Sequence, residues 1–126
     1  MNVIDSSGWL EYFTGGANAA FFQRAIEDRS NLLVPTISIF EVFRHVLRNR
    51  GEPHAYQASA AMTEGAVAIE LTMGIATLAA TLAHEHKLAM ADSIILATAR
   101  QFDATIWTQD VDFEGLEKVK FRAKPK

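Results

Sequence analysis

The sequence predicts an α/β protein, a three-layer sandwich whose central, mainly parallel sheet of four to five strands lies between helices. Three observations predict it. Short apolar runs alternate with helix-length amphipathic segments, and each run closes on a turn or cap residue. No linker, low-complexity tract or internal repeat divides the 126 residues, of which 49% are apolar. Residues 1–126 therefore read as a single domain able to bury its own core.

Asn2 to Ile4 reads as the first strand, and Asp5-Ser6-Ser7 follows as a run of good helix N-cap types. Trp9, Leu10, Tyr12 and Phe13 then recur at helical spacing until Gly15-Gly16 stops the helix. A second helix is expected from Asn18 to Asp28, and a second strand from Leu32 to Val34. Thr36 is expected to cap a helix reaching Arg50, with Ile39, Phe43, Val46 and Leu47 inward and Glu41, Arg44 and Arg48 outward. Gly51 ends it. Pro53 starts another helix to Glu64, and Ala66 to Leu71 reads as a third strand. The segment from Gly74 to His86 is helical, and Asp92 sits where the cap of a further helix belongs, striped by Ile95, Ala99 and Phe102. Thr105 to Trp107 is a short buried strand, Phe113 to Leu116 a turn of helix, and Val119 to Arg122 an edge strand. Strand–helix alternation implies right-handed crossovers and parallel pairing.

Composition narrows the function classes. No cysteine is present, which excludes disulfides and thiolate metal sites and suits a reducing cytoplasm. The sequence shows neither a signal-like segment nor a membrane-length apolar run, so a soluble cytoplasmic protein without a membrane partner is expected. The formal charge of −3 disfavours a nucleic-acid partner, but the cations are unevenly spread. Lys118, Lys120, Arg122, Lys124 and Lys126 crowd the last nine residues, and Arg44, Arg48 and Arg50 gather near one helix end. These clusters serve equally as solvated surface or as phosphate contacts.

Acids at the ends of elements carry the chemistry. In an open parallel sheet, ligands bind beyond the carboxyl ends of the strands, at the point where strand order reverses. With the first strand central and the Thr105 strand beside it, Asp5 and Asp110 meet there, and Asp92 and Glu41 are offered by neighbouring helices. Two carboxylates about 4 Å apart repel by roughly 4 kcal/mol at an effective dielectric near 20, so such a group calls for a cation. An all-oxygen donor set favours Mg²⁺ or Mn²⁺ over zinc. The matching chemistry is metal-assisted phosphodiester hydrolysis. Each acid also has a plainer role: Asp5 as a helix cap, Glu41 as a partner of Arg44 or His45, Asp92 as a cap, Asp110 and Asp112 as turn residues. His84-Glu85-His86 is a poor metal clamp, since residues two apart on a helix diverge.

The segments VIDSSGWLEYF, TISIFEVFR, ADSIILATA and WTQDVDF, in this order, resemble the PIN-domain ribonucleases of the VapC toxin type. That resemblance implies a PIN-like fold and four metal-binding acids matching Asp5, Glu41, Asp92 and Asp110. It also implies a supporting hydroxyl at Thr108, with Ser6 and Asp112 as further supports and Asp112 as a substitute for Asp110. It implies an endoribonuclease cutting RNA, a homodimer, and a cognate VapB-like antitoxin reaching the acidic groove. RNA phosphates would then meet Arg44, Arg48, Lys120 or Arg122. A non-catalytic PIN-like module binding RNA or protein is the alternative. A receiver-type phosphoacceptor is disfavoured, because the early acid is single.

Overall fold

The computed structural model describes all residues 1–126. Its sheet has five strands, β1 (Asn2–Ile4), β2 (Leu32–Pro35), β3 (Val67–Ile69), β4 (Thr105–Thr108) and β5 (Val119–Phe121), in the order β3-β2-β1-β4-β5. Every pairing is parallel, so the expected mainly parallel sheet is wholly so. β1 is central because Val3 and Ile4 are apolar toward both layers and fully buried, as only a strand covered on both faces can be. Its register sets Val3 beside Leu33 and Ile106, and Ile4 beside Trp107.

Six helices complete the layers: α1 (Ser6–Thr14), α2 (Ala19–Glu27), α3 (Thr36–Arg50), α4 (Glu52–Thr63), α5 (Met73–His86) and α6 (Met90–Gln101). Two cores result. One joins Val3, Leu33 and Ile106 to the inner sides of α5 and α6 through Ile75, Leu82 and Ile95. The other joins Ile4, Val34 and Trp107 to α1, α2, α3 and α4 through Trp9, Phe22, Val42 and Met62. No helix is long and apolar enough to cross a membrane.

Several expected details shift. Pro35, not Thr36, occupies the N-cap of α3, because the chain leaves β2 in extended geometry, and its apolar ring can make no side-chain cap bond. The fully buried line of α3 runs through Ser38 and Val42; of the expected stripe, Ile39 and Val46 pack partly buried on the core, Phe43 is half-buried and Leu47 is 43% exposed. β3 is three residues, shorter than the Ala66–Leu71 run, and α5 begins at Met73 under a Thr72 cap whose hydroxyl accepts the Ile75 N–H. Ala89 caps α6, which places Asp92 inside its first turn. That helix is buried continuously from Ser93 to Ala99, wedged between α5 and the sheet, and Phe102 lies beyond its end, 42% exposed. The expected turn of helix from Phe113 to Leu116 is a 3-10 turn over Val111–Phe113, earlier in the chain.

The start of α1 is tightly fitted. A Cβ on Gly8 would lie 2.7 Å from Ile4 Cγ2 and 2.7 Å from the Phe22 ring, inside van der Waals contact with two core side chains. Gly8→Ala is expected to destabilise the fold by about 1–3 kcal/mol through overpacking. A urea midpoint equal to that of the unaltered chain would show that this junction has slack.

Candidate metal centre

Three carboxylates reach the sheet rim because short elements stop there. Asp5 directly follows β1 and caps α1, accepting the Gly8 N–H at 2.9 Å. It is 2% exposed, and its charge is met by hydroxyls: Ser7 Oγ lies 2.9 Å from both carboxylate oxygens, and Thr108 Oγ1 donates to Oδ2 at 2.7 Å. Thr108 is available because the β1–β4 register carries the last residue of β4 past Trp107, the neighbour of Ile4. The same Thr108 oxygen accepts the Asp110 N–H at 2.9 Å, which aims Asp110 back over the sheet. Asp110 in turn caps the Val111–Phe113 turn by accepting the Asp112 N–H at 2.9 Å.

Two further acids come from the helices. Asp92 is half-buried in the first turn of α6, where the positive end of the helix favours a carboxylate. Glu41, half-buried on α3, forms an ion pair with neither Arg44 nor His45; it accepts a 2.6 Å hydrogen bond from Ser6 Oγ across the cavity. Asp5, Glu41, Asp92 and Asp110 all line one cavity of about 400 Å³, together with Ser6, Arg44, His45 and Arg48. Oxygens of Asp92, Asp110 and the exposed Asp112 lie within 4.8 Å of one another.

The electrostatics follow from this crowding. Burial pushes the Asp5 carboxyl up to about 6 against the opposing pull of Thr108, Gly8 and Ser7, with Asp110 adding repulsion. Burial also raises Asp92, to about 7, helped by repulsion from Asp110, Asp5, Glu41 and Asp112 in that order. No Lys or Arg forms an ion pair with any of these acids. The donor set fits a hard divalent cation, since all donors are carboxylate oxygens that lie close together. Asp92 and Asp110 would hold such an ion with Asp112 at its exposed side, while Asp5 and Glu41 stand on the cavity wall.

The basic residues divide. Arg44 and Arg48 line the acidic cavity, whereas Lys120 and Arg122 do not. Lys120 Nζ lies 4.6 Å from the Trp107 ring centre and the Arg122 guanidinium 4.9 Å from that of Phe21, so both pack over aromatic faces. His84 and His86 are exposed at the end of α5, and His86 meets only its neighbour Glu85 at 3.9 Å. Sequence reasoning missed Ser7 as a donor to Asp5, for which the Asp-Ser-Ser run was the available signal. It also missed two buried amides beside the centre, Asn18 and Gln109, each 6% exposed.

An all-parallel sheet whose carboxyl rim gathers an oxygen-only acidic cluster defines an α/β domain with a candidate metal centre. Within that class, a family model described as "PIN domain" matches residues 3–119, and the chain belongs to this family. A comparison with curated proteins finds no match. Among solved structures, the chain is similar to a toxin-antitoxin complex from Klebsiella pneumoniae, with 24% identity, a TM-score of 0.77, and 95% of this chain and 96% of that one covered. It is also similar to VapC20 of Mycobacterium tuberculosis, described as a sarcin-ricin loop cleaving toxin, with 17% identity, a TM-score of 0.79, and 94% and 97% covered. FitAcB from Neisseria gonorrhoeae shares 21% identity at a TM-score of 0.69, with 89% of each chain covered. At these identities the likeness is one of fold.

Proposed function

We propose that the chain is a metal-dependent endoribonuclease and the toxin of a type II toxin–antitoxin pair, acting in the cytoplasm. The observation that carries this reading is the convergence of Asp5, Glu41, Asp92 and Asp110 on one cavity that two arginines also line. Mg²⁺ or Mn²⁺, when bound, would supply a Lewis acid for the phosphoryl oxygen and lower the pKa of water enough for it to lose a proton and attack. Asp92 and Asp110 hold the charge that retains it. Asp5, fixed by Ser7 and Thr108, presents a carboxylate of set orientation rather than a mobile one. Glu41, held by the Ser6 hydroxyl at the cavity wall, would serve as the carboxylate that takes a proton from an attacking water.

Arg44 and Arg48 bring the RNA backbone to a cavity that would otherwise repel it. A single-stranded substrate suits the open rim, because its phosphates can bend toward buried acids while its bases remain outside. The cognate partner is a VapB-like antitoxin, supported by the fold shared with toxin–antitoxin complexes. The toxin is a homodimer, for which exposed apolar side chains such as Met73, 85% exposed, offer surface to bury.

The test is cleavage of single-stranded RNA by the purified chain. Mn²⁺ is expected to support cleavage and excess EDTA to stop it. Arg44→Ala with Arg48→Ala is expected to raise KM about tenfold and to flatten the salt dependence of RNA affinity by roughly 1.4 in log–log slope, about 0.7 for each phosphate that is no longer neutralised. Cleavage that persists in EDTA would sink the metal role. A non-catalytic RNA- or protein-binding module predicts instead that RNA binds and is never cut; against it stands the energetic cost of gathering four acids with no cation to receive.

A further inference from the structure

Beyond the acids themselves, we propose that the buried side-chain amides of Asn18 and Gln109 form a clamp that positions the Thr108–Asp110 segment, and so Asp110, against Asp5. This rests on the metal-centre reading above. Gln109 stands between the two residues that build the centre from the β4 side. Thr108 donates to Asp5 and accepts the Asp110 N–H, while the Gln109 side chain is buried between α1 and the start of α2. There its Oε1 accepts a 3.0 Å hydrogen bond from Asn18 Nδ2, and its Nε2 approaches the Ser7 carbonyl at 3.4 Å. Asn18 spends its second amide hydrogen on the Ala123 carbonyl at 3.1 Å.

Two amides thus tie together the start of α1, the α1–α2 turn, the exit of β4 and the chain beyond β5. Asn18 gives up something to do this. It occupies the N-cap of α2, where an asparagine side chain usually accepts a backbone N–H, yet it makes no such bond. Its own N–H goes to Glu11 Oε2 at 2.8 Å. The turn is closed tightly around that carboxylate, for a Cβ on Gly16 would collide with the Glu11 carboxylate oxygens. Asn18 is therefore delivered in a fixed place, and its donors are aimed inward rather than along its own helix.

Buried polar groups that lose a partner are costly, so neither amide is free to let go of the other. The consequence is directional. Asp110 follows the last strand residue by two positions, and Gln109, the one residue between, is held through its buried side chain. Groups that orient metal ligands from behind are commonly worth 10–100-fold in metal affinity.

Gln109→Met keeps volume and removes the acceptor; Asn18→Ala removes the donor. Each is expected to retain the circular dichroism of the folded chain, to weaken Mn²⁺ binding measured by titration calorimetry about tenfold, and to speed amide exchange at Asp110 and Asp112 in the metal-free chain. The double variant is expected to be no weaker than either single one, since both break one unit. If Gln109→Met does not fold, Asn18→Ala carries the same comparison. Folded variants with a lowered melting temperature but wild-type Mn²⁺ affinity and exchange would make the pair ordinary packing and overturn the proposal alone. A wild-type chain that binds no Mn²⁺ would overturn the metal centre and this inference together.

Discussion

Asp92→Asn is expected to lower the rate of RNA cleavage on the order of 10³-fold or more while making the metal-free protein more stable at pH 8. The two effects share one cause. Asp92 is raised to about 7 by burial and by four neighbouring acids, so at pH 8 its ionised form opposes folding unless a cation is present. Asparagine has nearly the same shape, sits acceptably in the first turn of α6, and removes one charge from the cluster. A gain of about 3–8 °C in melting temperature is expected in EDTA, since about 1 kcal/mol moves the midpoint of a domain this size by several degrees. Activity and stability moving in opposite directions separates a ligand from a structural cap. If the variant cleaves RNA as fast as the unaltered chain, Asp92 is no ligand; if it is less stable in EDTA, the repulsion described for the cavity is absent.

The second large effect is a pH dependence whose sign reverses the common one. Asp5 and Asp92 have folded-state values of about 6 and about 7, both above the ordinary 3.8. Between the ordinary value and the raised ones, the folded chain holds protons that the unfolded chain has released, so protonation favours folding. Stability in EDTA is fully present below about pH 4 as far as these two groups are concerned. It is lost as pH rises through about 6 and about 7. Melting curves in EDTA should therefore run lower at pH 8 than at pH 5. Mn²⁺ at about a hundred times its Kd should restore roughly 2.7 kcal/mol at pH 8 and far less at pH 5, where protons compete for the same oxygens. A melting temperature that is flat or rises with pH in EDTA would contradict the burial of Asp5 and Asp92 and the repulsion from their acidic neighbours.

The parts of this molecule legible in sequence are those governed by hydrophobic burial. Val3, Ile4, Leu33, Val34 and Ile106 form runs without polar alternation, which is the pattern of strands covered on both faces, and these strands make the middle of the sheet. The acids at their ends were legible because an ionisable residue directly after such a run has few other reasons to be there. Periodicity failed where tertiary packing chose the face. In α3 the small Ser38 and Val42 are buried while Phe40 is 56% exposed, a choice made by the close approach of neighbouring helices and not by hydropathy. Asp92 looked like a cap because charge and position are right for one; only the earlier helix start at Met90 moves it inward.

The cations show a different limit. Lys120 and Arg122 looked like Arg44 and Arg48 in composition, but Lys120 on β5 and Arg122 just beyond it both pack over aromatic rings. Asn18 and Gln109 gave still less signal, since uncharged amides lie anywhere on a surface and their pairing joins residues 91 positions apart.

The placement of β1 bears on when the proposed nuclease becomes dangerous to the cell that makes it. The first strand emerges from the ribosome early, yet its neighbour β4 is translated roughly a hundred residues later, and Asp110 later still. Until that portion has left the exit tunnel, the middle of the sheet has one open flank and the acidic cavity lacks a wall. Synthesis order alone thus delays the proposed RNA cleavage until most of the domain has been made.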